Sequence, residues 1–346
     1  MGHRDRDSCR EDPEDRDDNH HFDQRDPACA WSRASSVVRL HVRTHSERHA
    51  THVSLVTARA LVRAGARHRQ NGDRFVDVGQ IDDVEASMRS NPEVLAVAED
   101  LNLSCPLRPG QDRIVTPRYA LALGATPDPY QDVVQRLRLL GQDVGEVVAE
   151  VRGIFASRGR TTVTWEVGGS ATPATLAQQL EALGIVPDPR EPLATGMGLF
   201  QPLDCSKREV VVREVVTLED FRVSMSIYAA AFGAPSTDDA DESFASHSSV
   251  PAFRRYLAFV GGDAVAAADA VFLPSCVVMC GGGTLEHARG RGAYRALVAA
   301  RWEEGRRRGT PVLVTQAGSM SRPILARLGF EAIAQVRIFL DQHVSA

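Results

Sequence analysis

From Ile81 to the end of the chain, apolar and polar positions follow two rhythms, one of period 3.6 and one of period 2. Val147, Val148, Val151, Ile154 and Phe155 share one face of a helix over 144–157; Tyr294, Leu297, Val298 and Trp302 share one face of another over 293–308. A third helix, over 217–232, carries Phe221, Met225, Ile227, Tyr228 and Ala231 as its apolar positions. Apolar and β-branched runs predict strands over 161–167, 196–203, 210–216, 276–285, 312–315 and 335–341. Gly261-Gly262 between 256–260 and 265–272 predicts a hairpin, and 113–123 reads as a single strand. Val84, Met88, Val94, Leu95, Ala98 and Leu101 predict a helical region broken at Asn91-Pro92. It is followed by a loop at Pro106–Gly110, and 124–130 reads as a turn-rich connection. Thr172 with Pro173 and Thr217 read as helix starts, Ser321 as the cap of a short helix, and Gly184, Gly233 and Gly309 as helix stops. Residues 202–207 read as a linker, and 234–248, rich in Ser and Asp, as a mobile loop able to gate a cleft.

Residues 1–80 lack this patterning. The first 35 are acidic and polar, cannot offset the entropy of ordering, and are expected to be disordered. Residues 36–80 turn arginine- and histidine-rich, with a short helix expected near 50–66. His41, His45, His49 and His52 fall at helical spacing, but no acidic or cysteine ligand accompanies them, so no metal is expected. The formal net charge of −5 is matched by residues 1–29 alone, which hold five arginines and ten acidic residues. The remainder is near neutral, which argues against a nucleic-acid partner. No apolar run is long enough to span a bilayer, and the start has no signal-peptide core. A cytoplasmic protein with no membrane partner, monomeric or homodimeric, is expected. The six cysteines form no paired Cys-x-x-Cys set and are expected to be free, mostly buried thiols.

Two segments resemble each other. Arg158-Gly159 leads through a β run and a helix to Leu183-Gly184-Ile185; Arg308-Gly309 leads in the same way to Leu328-Gly329-Phe330. The glycine-to-glycine spacings are 25 and 20 residues. This predicts two related α/β units, over 81–204 and 205–346, after an accessory extension over 1–80.

Gly281 to Tyr294 reads Gly-Gly-Gly-Thr-Leu-Glu-His-Ala-Arg-Gly-Arg-Gly-Ala-Tyr, between an apolar strand and a strong helix. Glycines let a backbone approach a ligand closely, and a new helix offers unpaired N–H groups and the positive end of its dipole. Arg289 and Arg291 add charge where an anion would sit. The first unit is expected to lack any counterpart of this Arg-Gly-Arg-Gly.

The order of elements over about 208–342, with His287-Ala288-Arg289-Gly290-Arg291-Gly292 and Arg327-Leu328-Gly329-Phe330, resembles the GNAT superfamily of N-acetyltransferases. Together with the repeat, the whole looks like a tandem GNAT with a degenerate first half. The resemblance implies an α/β (α+β) mixed sheet with splayed parallel strands, here 276–285 and 312–315. It implies acetyl-CoA as the acyl donor and an amine of a small molecule or peptide as the acceptor. Gly283, Thr284 and Leu285 would pair with the pantetheine arm. The N–H groups of Arg289, Gly290, Arg291, Gly292 and Ala293 would hold the pyrophosphate. The frequent general acid of the family is a tyrosine, but its position is Leu325 here. Glu286, Tyr294 and Ser321 are the catalytic candidates, with Asp269, His287 and Ser319 nearby. The alternative is a non-catalytic acyl-CoA-binding sensor or scaffold.

Overall fold

The computed structural model describes residues 87–203, 209–232 and 240–344. The expectations for 1–80, for the stop at Gly233, and for most of the 202–207 linker lie outside the described residues.

The first half begins with α1 (Pro92–Glu99), capped by Asn91 through its side chain onto the Glu93 N–H, and the single turn α2 (Leu101–Ser104). The stretch expected as one strand is a hairpin, β1 (Asp112–Val115) and β2 (Ala120–Leu123). Thr116 turns it, its hydroxyl holding Tyr119, and Pro117 cannot donate to a ladder. A short strand that the pattern does not disclose, β3 (Val133–Gln135), follows before α3 (Val144–Ala156), β4 (Val163–Gly168), α4 (Leu176–Ala182), β5 (Val186–Pro187) and β6 (Leu193–Leu199). Thr172 does not cap α4. Its N–H goes to Leu137 O and its hydroxyl to Leu139 O, and the helix starts three residues after Pro173.

The second half runs β7 (Val210–Glu214), α5 (Leu218–Phe232), α6 (Ala240–Ser248), β8 (Phe253–Val260), β9 (Asp263–Phe272), β10 (Val277–Thr284), α7 (Ala293–Arg308), β11 (Leu313–Ala317), α8 (Ser321–Arg327) and β12 (Glu331–Asp341). The loop expected over 234–248 is helical from Ala240. Phe244 and His247 of α6 pack against Phe221, and His247 also meets Phe253. Ser321 is the first residue of α8 rather than its cap, which is Met320.

One 12-stranded sheet joins both halves, in the order β1-β2-β3-β4-β12-β6-β11-β10-β9-β8-β7, with β5 beside β12. Each half holds one parallel pair, β3 with β4 and β10 with β11. The last strand of each half lies beside the parallel strand of the other: β12 pairs with β4 and β6 with β11, while β6 and β12 pair with each other at the centre. Every one of these pairings is antiparallel. Each final strand thus lies beside the parallel pair of the other half, and one sheet carries both.

The repeat extends to single hydrogen bonds. Gly159 and Gly309 end α3 and α7 in the left-handed region, with φ of 69° and 84°. The residues after them return to Phe155 O and Gly305 O, five back. Gly184 and Gly329 end α4 and α8 likewise, at φ of 82° and 90°, with Ile185 N–H on Leu180 O and Phe330 N–H on Leu325 O. These bonds use carbonyls that the helix ends leave open, and only glycine takes this conformation without a Cβ penalty.

Candidate functional site

The parallel pair of the second half opens after two residues. Val277 is opposite Leu313 and Val278 opposite Val314; beyond them the strands separate toward their C-terminal ends. The Thr315 hydroxyl donates across the start of the gap to Met279 O at 3.2 Å. On its other side β10 shifts register against β9 between Cys280, opposite Asp269, and Gly283, opposite Ala267. Three residues of β10 thus advance against two of β9, a bulge that bends the strand away from β11.

The glycine run is required there from both faces. A Cβ on Gly282 would lie 2.8 Å from the Tyr294 ring of α7, and one on Gly283 2.8 Å from Ala231 Cβ of α5. Gly281 also has φ of 56°. Leu285 then donates its N–H to Val265 O. Bonded and non-bonded pairs alternate along an antiparallel ladder. Gly283 is therefore bonded to β9 as well, and Thr284, opposite Ala266, turns its backbone groups toward the gap. Of Gly283, Thr284 and Leu285, Thr284 turns its backbone groups toward the gap while its neighbours bond to β9.

A 3-10 turn over Glu286–Ala288 follows, anchored by buried Ala288. Arg289 N–H donates to Glu286 O and Arg291 N–H to Ala288 O, at 3.2 and 3.4 Å. Gly290 and Gly292 adopt φ of 74° and 82°, and α7 starts at Ala293 with no side chain capping it. An uncapped helix start of 16 residues, approached through left-handed glycines and flanked by Arg289 and Arg291, is a fit for a pyrophosphate.

The catalytic candidates are spread out. Glu286 and His287 are exposed on the turn. Tyr294 packs its ring on Gly282 and against the core under α7. Ser321 stands at the C-terminal end of β11, its hydroxyl without a hydrogen-bond partner. Ser319 is committed to Glu191 through both N–H and hydroxyl. Leu325 is buried among the core side chains beneath α7.

Asp269 is not a free base. Arg255 donates to it twice, Nε at 2.6 Å and Nη2 at 2.9 Å, and to Ser224 Oγ at 3.1 Å. Burial pushes the Asp269 carboxyl up, but Arg255, with His247 and Arg108, outweighs it and the net shift is down. Phe221 and Tyr228 sandwich the Arg255 guanidinium at 4.7 and 4.9 Å. The pattern placed Tyr228 and Phe221 on an apolar face and did not disclose the charged pair beneath them. Arg301 was missed too. It is fully buried on α7, with Nε on Leu297 O and Nη1 on Asp269 O, both at 3.0 Å, beside the bulge.

The first half keeps the frame and closes the gap. Val133 pairs with Thr164 and Val134 with Trp165. Counting on from these pairs, Gln135 stands where Met279 does and Glu166 where Thr315 does. Gln135 Nε2 donates to Glu166 Oε2 across the opening, and both side chains are buried. Burial pushes the Glu166 carboxyl up to about 7, Gln135 opposing and Asp100 adding to it. Asp100 is itself pushed up to about 6 by burial and by Glu99. At the place of Arg-Gly-Arg-Gly this half has a turn with neither arginine, one glycine and no left-handed residue. Arg138-Leu139-Leu140-Gly141-Gln142-Asp143 leads into α3, with Asp143 in the place of the second glycine. It escapes notice in the sequence because β3, which positions it, has only three residues.

Among the described residues no helix is long and apolar enough to cross a membrane, and no cluster of three or more His, Cys, Asp and Glu could hold a metal. Cys105, Cys276 and Cys280 are free and buried.

No protein-family model matches the sequence, and no curated protein matches it. Among solved structures, the chain is similar to a GCN5-related N-acetyltransferase from Kribbella flavida. That match has a TM-score of 0.54 at 19% identity and covers 72% of this chain and 95% of that one. It is also similar to a GCN5-related N-acetyltransferase from Sphaerobacter thermophilus, with a TM-score of 0.51 at 17% identity, over 76% and 94% of the two chains. A tandem GNAT protein from the clavulanic acid biosynthesis pathway matches with a TM-score of 0.50 at 16% identity, over 77% and 95%. The chain has the fold of the GCN5-related N-acetyltransferases, as a mixed parallel and antiparallel α/β sheet shared by two halves.

Proposed function

We propose that the second half binds acetyl-CoA and transfers its acetyl group to an amine of a small molecule or peptide, by direct attack of the amine nitrogen on the thioester. The observation that carries this reading is the gap between β10 and β11, which leads through a glycine bulge to the uncapped start of α7. The pantetheine arm lies along Thr284. The pyrophosphate sits on the backbone of Gly290, Gly292 and Ala293, with the charges of Arg289 and Arg291 beside it. The domain division belongs to the same reading: 81–204 is the degenerate unit and 205–346 the acyltransferase, on a shared sheet.

The reaction needs a base for the ammonium proton and donors for the developing oxyanion. Exposed Glu286 and His287 lie on the turn after β10, and Ser321 begins α8 with a buried hydroxyl that has no hydrogen-bond partner. The buried Leu325 supports the second reading, an acyl-CoA-binding protein without turnover. A panel of primary amines screened for CoA release from acetyl-CoA separates the two, with Gly292→Glu as control and thermal unfolding to check that the control is folded. Amine-dependent release that the variant loses supports acetyl transfer. Binding without release supports the second reading. Release without any amine, or equal release from the variant, refutes the site.

A further inference from the structure

The bulge of β10 has a tyrosine over it that the cofactor reading does not use. Tyr228 comes from α5, on the face opposite Tyr294, and is 2% exposed. Its ring is held by Phe232, stacked at 5.7 Å, and by the Arg255 guanidinium. Its hydroxyl would lie 3.4 Å from a Cβ on Gly281, the first residue of the bulge and one of the first beyond the last paired residues of the gap. That hydroxyl is buried and has no hydrogen-bond partner. A buried hydroxyl without a well-formed bond is costly to keep, and one beside a ligand gap is free to turn its proton to a carbonyl there. The nearest acceptor, Asp269, takes two bonds from Arg255 and also acts on the Tyr228 hydroxyl, though not through a bond of full geometry.

We propose that Tyr228 is a catalytic residue of the acyl transfer, its hydroxyl donating a hydrogen bond to the thioester carbonyl oxygen and to the oxyanion formed from it. This rests on the acetyl-CoA reading of the same gap. The amine lone pair forms the N–C bond while the C=O π pair moves onto oxygen, where the Tyr228 O–H holds it. The pair returns as the C–S bond breaks and CoA leaves as thiolate. The nitrogen proton passes through solvent to the thiolate, leaving an amide and the free thiol of CoA, and Tyr228 keeps its own proton throughout. Burial, with the charge of Asp269, raises the Tyr228 hydroxyl well above its ordinary range, so it stays a neutral donor at any working pH. This also gives Leu325 a counterpart: a carbonyl donor from α5 serves where no hydroxyl comes from α8.

Tyr228→Phe tests it, because it deletes one unpartnered atom and leaves the packing. The infrared band of 13C-carbonyl acetyl-CoA, bound to the full chain, is expected to lie below its free value in wild type and to return toward it in the variant. Acetyl-CoA affinity is expected to fall no more than a few-fold, the worth of one neutral hydrogen bond in the ground state, and thermal stability to stay near that of wild type. For the fastest amine of the panel, kcat is expected to fall about 100-fold with KM for acetyl-CoA unchanged. The same band position in both proteins, or kcat within about twofold, overturns the role of Tyr228 while leaving acetyl-CoA binding intact. Failure of the wild type to bind acetyl-CoA overturns both.

Discussion

The two halves present one frame with two contents. Each sets a parallel strand pair before a helix that ends on a left-handed glycine, and each pair has only two residue pairs. In the second half the strands then part at the Gly281–Gly283 bulge, with the short Thr315 side chain reaching across the start of the gap. In the first half Gln135 and Glu166 meet across the same opening, and Asp143 places a carboxylate at the helix start where Gly292 stands in the other. A carboxylate at that position already favours the helix dipole and repels a second anion. On the proposed reading, a strand pair and a turn are not enough to make a phosphate-binding site. What lines the gap and what caps the helix decide.

The largest expected effect breaks the second half without touching the first. Arg255→Met leaves Asp269 buried and uncompensated, and should cost about 3–5 kcal/mol in chemical denaturation. Next, Gly292→Glu should weaken acetyl-CoA binding by about 100-fold or more, while Asp143→Gly in the first half should add no second binding event, because Gln135 and Glu166 still fill the gap; calorimetric titration reads both. Smaller is the pH effect at that plug. The fold favours the protonated Glu166 carboxyl, raised from 4.5 to about 7. Its contribution is therefore present in full below about 4.5 and is lost as pH rises through about 7; Asp100 acts in the same direction between 3.8 and about 6. Glu166→Gln should flatten the fall of melting temperature between pH 5 and pH 8 and raise it by a few degrees at pH 8. Least affected should be Glu286→Gln, whose exposed side chain predicts kcat within about threefold of wild type, against the 100-fold or more that loss of a general base brings.

Much of this was legible along the chain. Glycine at the helix ends, the hairpin at Gly261-Gly262 and the glycine-rich turn before α7 follow from local backbone requirements that one residue type meets, and these sit where the pattern places them. What was not legible depends on partners distant in sequence. β3 is too short to show a period, so the turn it carries went unread. The sheet order puts β6 beside β11 and β12 beside β4, pairings of residues more than a hundred positions apart. Asp269 looked like a candidate base because Arg255, its partner, lies on another strand. Tyr228 looked like one more apolar position because a tyrosine ring fits a helical stripe wherever its hydroxyl points.

The most direct measurement is the stoichiometry of acetyl-CoA on the full chain by calorimetric titration, for wild type and for Gly292→Glu. One site per chain, lost in the variant, is the predicted result. Two sites per chain, or one that survives in the variant, would contradict the claim that only the open gap of the second half holds the acyl donor.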